Sequence, residues 1–198
     1  MKQVLSILVM LCLTLGHTQA SSTEPQETVK QVADVVLKQI LDNKDQLEQG
    51  PEFLMKLVET HMLPIIDQRL MSRLALGDNW DNIDEAQKQD FITGFKRLLV
   101  KTYAGAFKAY TGQAVTYGET RFNKTRSKAI VNSEIEMSSG SPIRLQYRLY
   151  QNDDGDWLVY DANIAGLSLI KTYRIQFSEQ IEKEGIDQTI SKLNSVQL

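Results

Sequence analysis

At 198 residues and 42% hydrophobic, the chain is long enough for one domain with a sizeable core. Its formal charge of −3, with no Lys/Arg cluster and no aromatic-and-basic motif, argues against broad nucleic-acid binding. A single cysteine, Cys12, excludes a disulfide framework within the chain.

Residues 1–20 read as an export signal. Lys2 supplies the positive start, residues 4–15 form an apolar stretch, and Thr18-Gln19-Ala20 offers small residues for cleavage. The stretch is too short to span a bilayer comfortably. Its removal takes Lys2, no acid and the only thiol, leaving residues 21–198 as one domain that must hold together without a disulfide. That suits a medium-sized protein of a bacterial periplasm.

Residues 21–27 are polar and expected to fray. From Thr28, the residues Val29, Val32, Val36, Ile40 and Leu47 recur near helical spacing and predict one helix up to Gly50-Pro51. Phe53, Leu54, Leu57, Val58 and Met62 predict a second helix that ends before Pro64. Asp67 is placed to cap a short helix over 68–76, closed by Gly77. Asp84-Glu85-Ala86-Gln87 has the form of a capping box. It opens the longest helix, which carries Phe91, Phe95, Leu98, Leu99, Tyr103 and Phe107 and runs to about Tyr110.

The pattern then changes to strands. Residues 114–122 and 129–137 predict the first two, and the turn at 138–141 leads to the third. In this third strand Ile143, Leu145, Tyr147 and Leu149 alternate with Arg144, Gln146, Arg148 and Tyr150. Asn152 to Asp156 reverses the chain around Gly155, and Trp157 to Tyr160 form the returning strand. Residues 161–166 are expected to leave the sheet, with Asp161 hydrogen-bonding near the bend and Ser168 as the N-cap of a helix over 169–184. A last short helix spans 188–193. Helices, then four consecutive strands, then helices again imply an α+β fold with helices on one face of an antiparallel sheet. A sheet that hands over to a helix at its rim can open a concave pocket there.

Several segments together resemble the MlaC family of periplasmic phospholipid-binding proteins, also described as toluene-tolerance auxiliary proteins. They are Leu63-Pro64-Ile65-Ile66-Asp67, Leu76-Gly77-Asp78-Asn79-Trp80, residues 91–99, and Thr102-Tyr103-Ala104. Further along come Tyr147-Arg148-Leu149, Trp157-Leu158-Val159-Tyr160-Asp161, Gly166-Leu167-Ser168-Leu169 and Tyr173-Arg174-Ile175-Gln176-Phe177. The chain departs from the pattern at Ala165, where an acid is expected, and at Leu167, where valine is usual. The resemblance implies a cone-shaped fold related to nuclear transport factor 2, with an apolar cavity between a curved four-stranded sheet and the helices. It further implies a phospholipid shuttle that maintains outer-membrane lipid asymmetry. Its partners would be an outer-membrane lipoprotein complex (MlaA-like) and an inner-membrane ABC transporter complex with an MCE-domain protein (MlaD-like).

Physical chemistry makes sense of such a role. Each methylene kept from water is worth roughly 0.8 kcal/mol, so acyl tails crossing an aqueous space must be enclosed. Candidate lining residues are Phe95, Leu99, Tyr103 and Phe107 on the long helix and Leu145, Tyr147, Leu149 and Val159 on the sheet. Arg148, and after it Arg144, are the candidate headgroup contacts, because a guanidinium matches a phosphate in fork geometry. Lys96, Arg97 and Lys101 lie on the long helix as further cations.

Two other functional classes are compatible with an α+β chain of this kind. A small-molecule enzyme on the same fold would use His61, the only histidine beyond the export signal, oriented by Asp67 or Glu59. The residue types point instead to a non-enzyme with no cofactor and no metal site, since HExxH, GxSxG and phosphate-cradling glycine loops are all missing. A periplasmic adaptor that binds no ligand is the third class. Trp80 reads as a packing anchor, and Asn123-Lys124-Thr125 as an incidental glycosylation sequon.

Overall fold

The structure is a computed structural model that describes residues 24–137 and 139–197. The expected export signal lies outside the described residues.

The helical half begins at Pro25, earlier than the polar composition of that region suggests, because proline suits a first helical turn. Helix α1 (Pro25–Asp42) buries Val29, Val36 and Ile40. It does not continue to Leu47. The Asn43 side-chain amide donates to the Gln39 carbonyl at 2.9 Å and ends the helix. A separate helix, α2 (Lys44–Gln49), carries the buried Leu47. Helix α3 (Glu52–Leu57) loosens into a π turn over Val58–Met62 and then tightens into a 3-10 turn over Leu63–Ile65 that takes in Pro64. Helix α4 (Gln68–Leu76) is capped by the Asp67 carboxylate, which accepts from Leu70 N–H at 2.8 Å, and Gly77 ends it at φ 61°. The turn after it seats Trp80, 4% exposed, under the cations of Arg69 and Lys88. Helix α5 (Glu85–Ala109) opens with the expected capping box, Asp84 and Gln87 each bonding the other's backbone N–H.

The sheet has six strands where four were expected. They are β1 (Val115–Tyr117), β2 (Arg121–Phe122), β3 (Lys128–Ile135), β4 (Ile143–Gln151), β5 (Trp157–Ile164) and β6 (Leu167–Ser168). All pair antiparallel in the order β1-β3-β4-β5-β6, with β2 also on β3. The first expected strand divides at Gly118, where Gly118 N–H and the Glu119 carbonyl are both held by Asn132 of β3. The last expected strand is longer than its alternation indicates. Residues Asp161 to Ile164 do not leave the sheet but continue β5, and the chain reverses only at Ala165 and Gly166. Both of these have positive φ, 51° and 92°, the signature of a tight two-residue hairpin turn. Helices α6 (Leu169–Glu184) and α7 (Ile186–Asn194) follow, the latter starting two residues earlier than expected.

A β-bulge accounts for the hidden length of β5. Leu149 faces Val159 but Arg148 faces Asp161, so Tyr160 is an extra residue in the ladder. Trp157 and Val159 are directed to the same face as Leu149. Beyond the bulge that face is taken by Ala162, opposite Tyr147, and Ile164, opposite Leu145.

The buried residues fall into three clusters. One joins α4, α5, α6 and α7 around Phe91, Phe95, Tyr173 and Phe177, whose rings meet edge-on at centroid distances of 5.0–5.5 Å. A second joins α1, α2 and α3 to Val100 of α5. The third joins Val29 of α1 to Ala129, Val131, Leu149, Trp157 and Val159 on the inner face of the sheet. Among the described residues α5 packs most extensively on α7, and no strand residue belongs to the buried clusters that α5 joins.

Candidate functional site

Strand alternation and register divide the inner sheet face into two parts. One part, Ala129, Val131, Leu149, Trp157 and Val159, is sealed by Val29 and none of these residues exceeds 6% exposure. The other part comprises Ile135, Ile143, Leu145, Ala162 and Ile164, paired side by side across β3, β4 and β5. All five are only half-buried and none belongs to a buried cluster. Tyr147 lies between the two parts, packed on the sealed cluster and still half-buried.

The candidate residues on α5 are spaced by four, so Leu99, Tyr103 and Phe107 share one side of that helix. Leu99 packs on the cluster of α4, α5, α6 and α7, and Phe107 packs on the cluster of α1, α2 and α3. Tyr103 falls between them, half-buried beside Tyr173, and burial pushes its phenol up. Tyr173 donates to Thr102 at 3.2 Å and so ties α6 to the middle of α5. Phe95, at 2% exposure, is packed among Phe91, Tyr173 and Phe177, and Leu149 and Val159 belong to the sealed part of the sheet. The half-buried members of the candidate set are thus Leu99, Tyr103, Phe107, Leu145 and Tyr147.

The two candidate arginines are not brought together with the apolar residues. Arg144 and Arg148 alternate with Leu145, Tyr147 and Leu149 on β4, so they project from the opposite face. Arg144 pairs with Glu134 at 2.9 Å, and Arg148 lies 3.7 Å from Asp161. Lys96 pairs with Glu59 at 2.6 Å, Arg97 reaches the Asn194 carbonyl at 3.4 Å, and Lys101 is exposed. His61 sits half-buried in the π turn, on a groove it shares with Gln39, Asn43 and Thr60. A larger surface groove of about 760 Å³ runs between Met55, Lys56, Glu59, Arg97 and the end of α7 at Asn194. Neither groove includes any of the candidate lining residues.

Two aspartates hold the surrounding helices to β5. Asp67 donates its N–H to the Val159 carbonyl at 3.0 Å, and its carboxylate accepts from Leu70 N–H and, at 2.5 Å, from the Tyr150 hydroxyl. That hydrogen bond, then burial, pushes the Tyr150 phenol up to about 12. Asp161, 6% exposed, accepts from Ser168 Oγ at 2.8 Å and Ile170 N–H at 3.2 Å, so it anchors the start of α6. Ser168 is the expected N-cap and accepts from Lys171 N–H. What periodicity missed is Ala162 and Ile164, which lie past the bulge, where alternation changes phase. Ile135 and Ile143 fit the expected strand alternation but, flanking the turn between β3 and β4, were not among the candidate lining residues.

Comparison with known proteins gives the same placement from three directions. A model of the family described as "MlaC protein" matches residues 30–195. An intermembrane phospholipid transport system binding protein MlaC from Haemophilus influenzae is 25% identical over 187 residues, covering 93% of this chain and 87% of that one. A toluene tolerance protein, ttg2D, from Pseudomonas putida is also 25% identical over 187 residues, 93% of this chain and 86% of its own. A phospholipid-binding protein from Ralstonia solanacearum, solved in complex with a phospholipid, superposes with a TM-score of 0.81. It is 33% identical, over 87% of this chain and 96% of its own.

Proposed function

The chain belongs to the MlaC family, and from that premise we propose that it is a carrier that holds a phospholipid by its acyl tails. The observation that carries the reading is the likeness, at 33% identity, to a protein solved with a phospholipid bound. The half-buried apolar surface supports it: Leu145, Tyr147, Ala162 and Ile164 on the sheet look toward helices whose own core is complete without them. A surface of this kind suits a guest made of methylenes. Leu99, Tyr103 and Phe107 form the facing wall. Phe95 packs behind that wall, and Leu149 and Val159 continue the floor as its sealed part.

The chain works in the periplasm, reached through the signal at residues 1–20. No helix among the described residues is long and apolar enough to cross a membrane. The carrier takes lipid between an outer-membrane lipoprotein complex of MlaA type and an inner-membrane ABC transporter complex with an MlaD-type MCE-domain protein. Moving tails from bilayer to apolar pocket changes little apolar exposure, so direction is imposed by the partners. Carriage requires no bond to be made or broken.

Native mass spectrometry with organic extraction, on protein exported to a bacterial periplasm and purified without detergent, tests this. The expected result is an adduct of phospholipid mass at near one-to-one stoichiometry. A bare protein mass with no extractable lipid would sink the reading.

A further inference from the structure

Three hydroxyls sit in a row on the inner sheet face, at the border between its sealed and half-buried parts. Tyr117 of β1 is paired with Ser133 of β3, and Tyr147 of β4 lies one diagonal step away, opposite Val131. Ser133 is 2% exposed, yet its Oγ makes no hydrogen bond among the described residues. Native proteins seldom leave a buried hydroxyl unpaired, because its lost hydration is not replaced. Its position in β3 alternates with Val131 and Ile135, so the hydroxyl is directed to the same face as the apolar surface. Burial pushes up the phenols of both Tyr117 and Tyr147; the nearby Ser133 hydroxyl opposes the rise at Tyr147, without reaching hydrogen-bond geometry with it.

The chemistry that fits this row is narrow. Acyl methylenes need no donor. A phosphate would be an uncompensated charge there, because Arg144 and Arg148 project from the other face. The carboxylates of Asp34 and Glu27 on α1 also act on Tyr117, and they would repel an anion. A neutral acceptor that travels with acyl tails meets neither objection. We propose that Ser133, with Tyr117 and Tyr147, is a hydrogen-bond donor site for an ester carbonyl of a diacyl lipid. This rests on the carrier reading and adds to it. The tails are held by apolar contact, while the depth at which the glycerol end stops is set by the three hydroxyls.

The test compares a diester phospholipid with the diether analogue of the same headgroup and chain length, which lacks the carbonyls. Delipidated exported chain is loaded with each, and affinities are read by competition in native mass spectrometry. The wild type is expected to favour the diester by roughly fivefold, the worth of about one net hydrogen bond. In the Ser133→Ala variant that preference should be largely lost through weaker diester binding, with diether binding unchanged. Equal affinity for the two lipids in the wild type, or a preference that survives Ser133→Ala intact, would overturn the proposal and leave lipid carriage intact. Binding of neither lipid would overturn both. The lipid-free Ser133→Ala single variant should melt at or above the wild type, since an unpaired buried hydroxyl is removed. A clear fall in its Tm would show that Ser133 bonds within its own fold, and that also overturns the proposal.

Discussion

The two parts of the inner sheet face are made of the same kinds of residue on the same strands, yet one is sealed and the other is left half-buried. Val131, Leu149 and Val159 meet Val29 and seal completely, whereas Ile135, Leu145 and Ile164 meet no buried cluster. Composition does not separate them; the helix opposite does. Helix α1 lies across the first part, and α5, which could have covered the second, is occupied with the other helices. A folded core and an open apolar surface can thus share one sheet, distinguished by whether the protein supplies the second side.

The sharpest test of this contrast is a pair of truncations. Leu149→Ala should lose about 3 kcal/mol in urea unfolding, within the range for a fully buried leucine. Leu145→Ala should lose under about 1 kcal/mol, because that side chain is only partly buried and joins no buried cluster. Equal losses would mean that the two parts are one core. Asp161→Ala should follow at about 2 kcal/mol, since it frees Ile170 N–H and Ser168 Oγ and leaves Arg148 without its carboxylate. A smaller loss for Asp161→Asn would separate the helix cap from the ion pair. In the functional direction, Leu145→Asp or Leu99→Asp should leave the circular-dichroism spectrum unchanged while lipid retention falls at least tenfold. Lipid held as before would remove those residues from the surface.

Alkaline pH probes the border between the parts and the face behind it. The phenols of Tyr117, Tyr147 and Tyr150 all lie above the ordinary value of 10. A raised phenol pKa favours the neutral form in the fold, so this stability is fully present below pH 10. It is lost as pH climbs through 10 toward 12 and beyond. Tyr150→Phe should flatten the part of that loss due to the Asp67 hydrogen bond, seen as a smaller drop in Tm between pH 9 and about 11. The smallest effect is a gain. Ala165 holds φ 51°, which an L-residue with a plain methyl tolerates poorly, and Ala165→Asn should raise stability by about 0.5–1 kcal/mol.

Much of this was legible in the residues. The caps at Asp67, Asp84 and Ser168 were readable because a short polar side chain before an apolar helical run has few other uses. The α+β order and the long α5 followed from periodicity. The site was half legible. Leu99, Tyr103, Phe107, Leu145 and Tyr147 carry the right spacing and are half-buried, but spacing alone could not separate them from Phe95, Leu149 and Val159, which have identical patterning and pack as core. The arginines show the opposite limit. Arg148 beside Tyr147 in sequence looks like a charge at a pocket rim, but adjacency along a strand means opposite faces. Ser133 carries no signal of its own in the sequence, because its lack of a partner is a property of three strands together.

The extra residue at Tyr160 does more than lengthen a strand. A strand without it could supply the inner face with Trp157, Val159, Asp161 and Asn163, two of them polar, along its whole length. With it, β5 changes its reading frame halfway, and the same eight residues deliver four apolar side chains to one face and an aspartate to the start of α6. The greasy floor and the anchor of the helix beside it therefore have one origin. Any change in chain length at that point would exchange the outer-face and inner-face chemistry of the strand in a single step, and cut α6 loose as it did so.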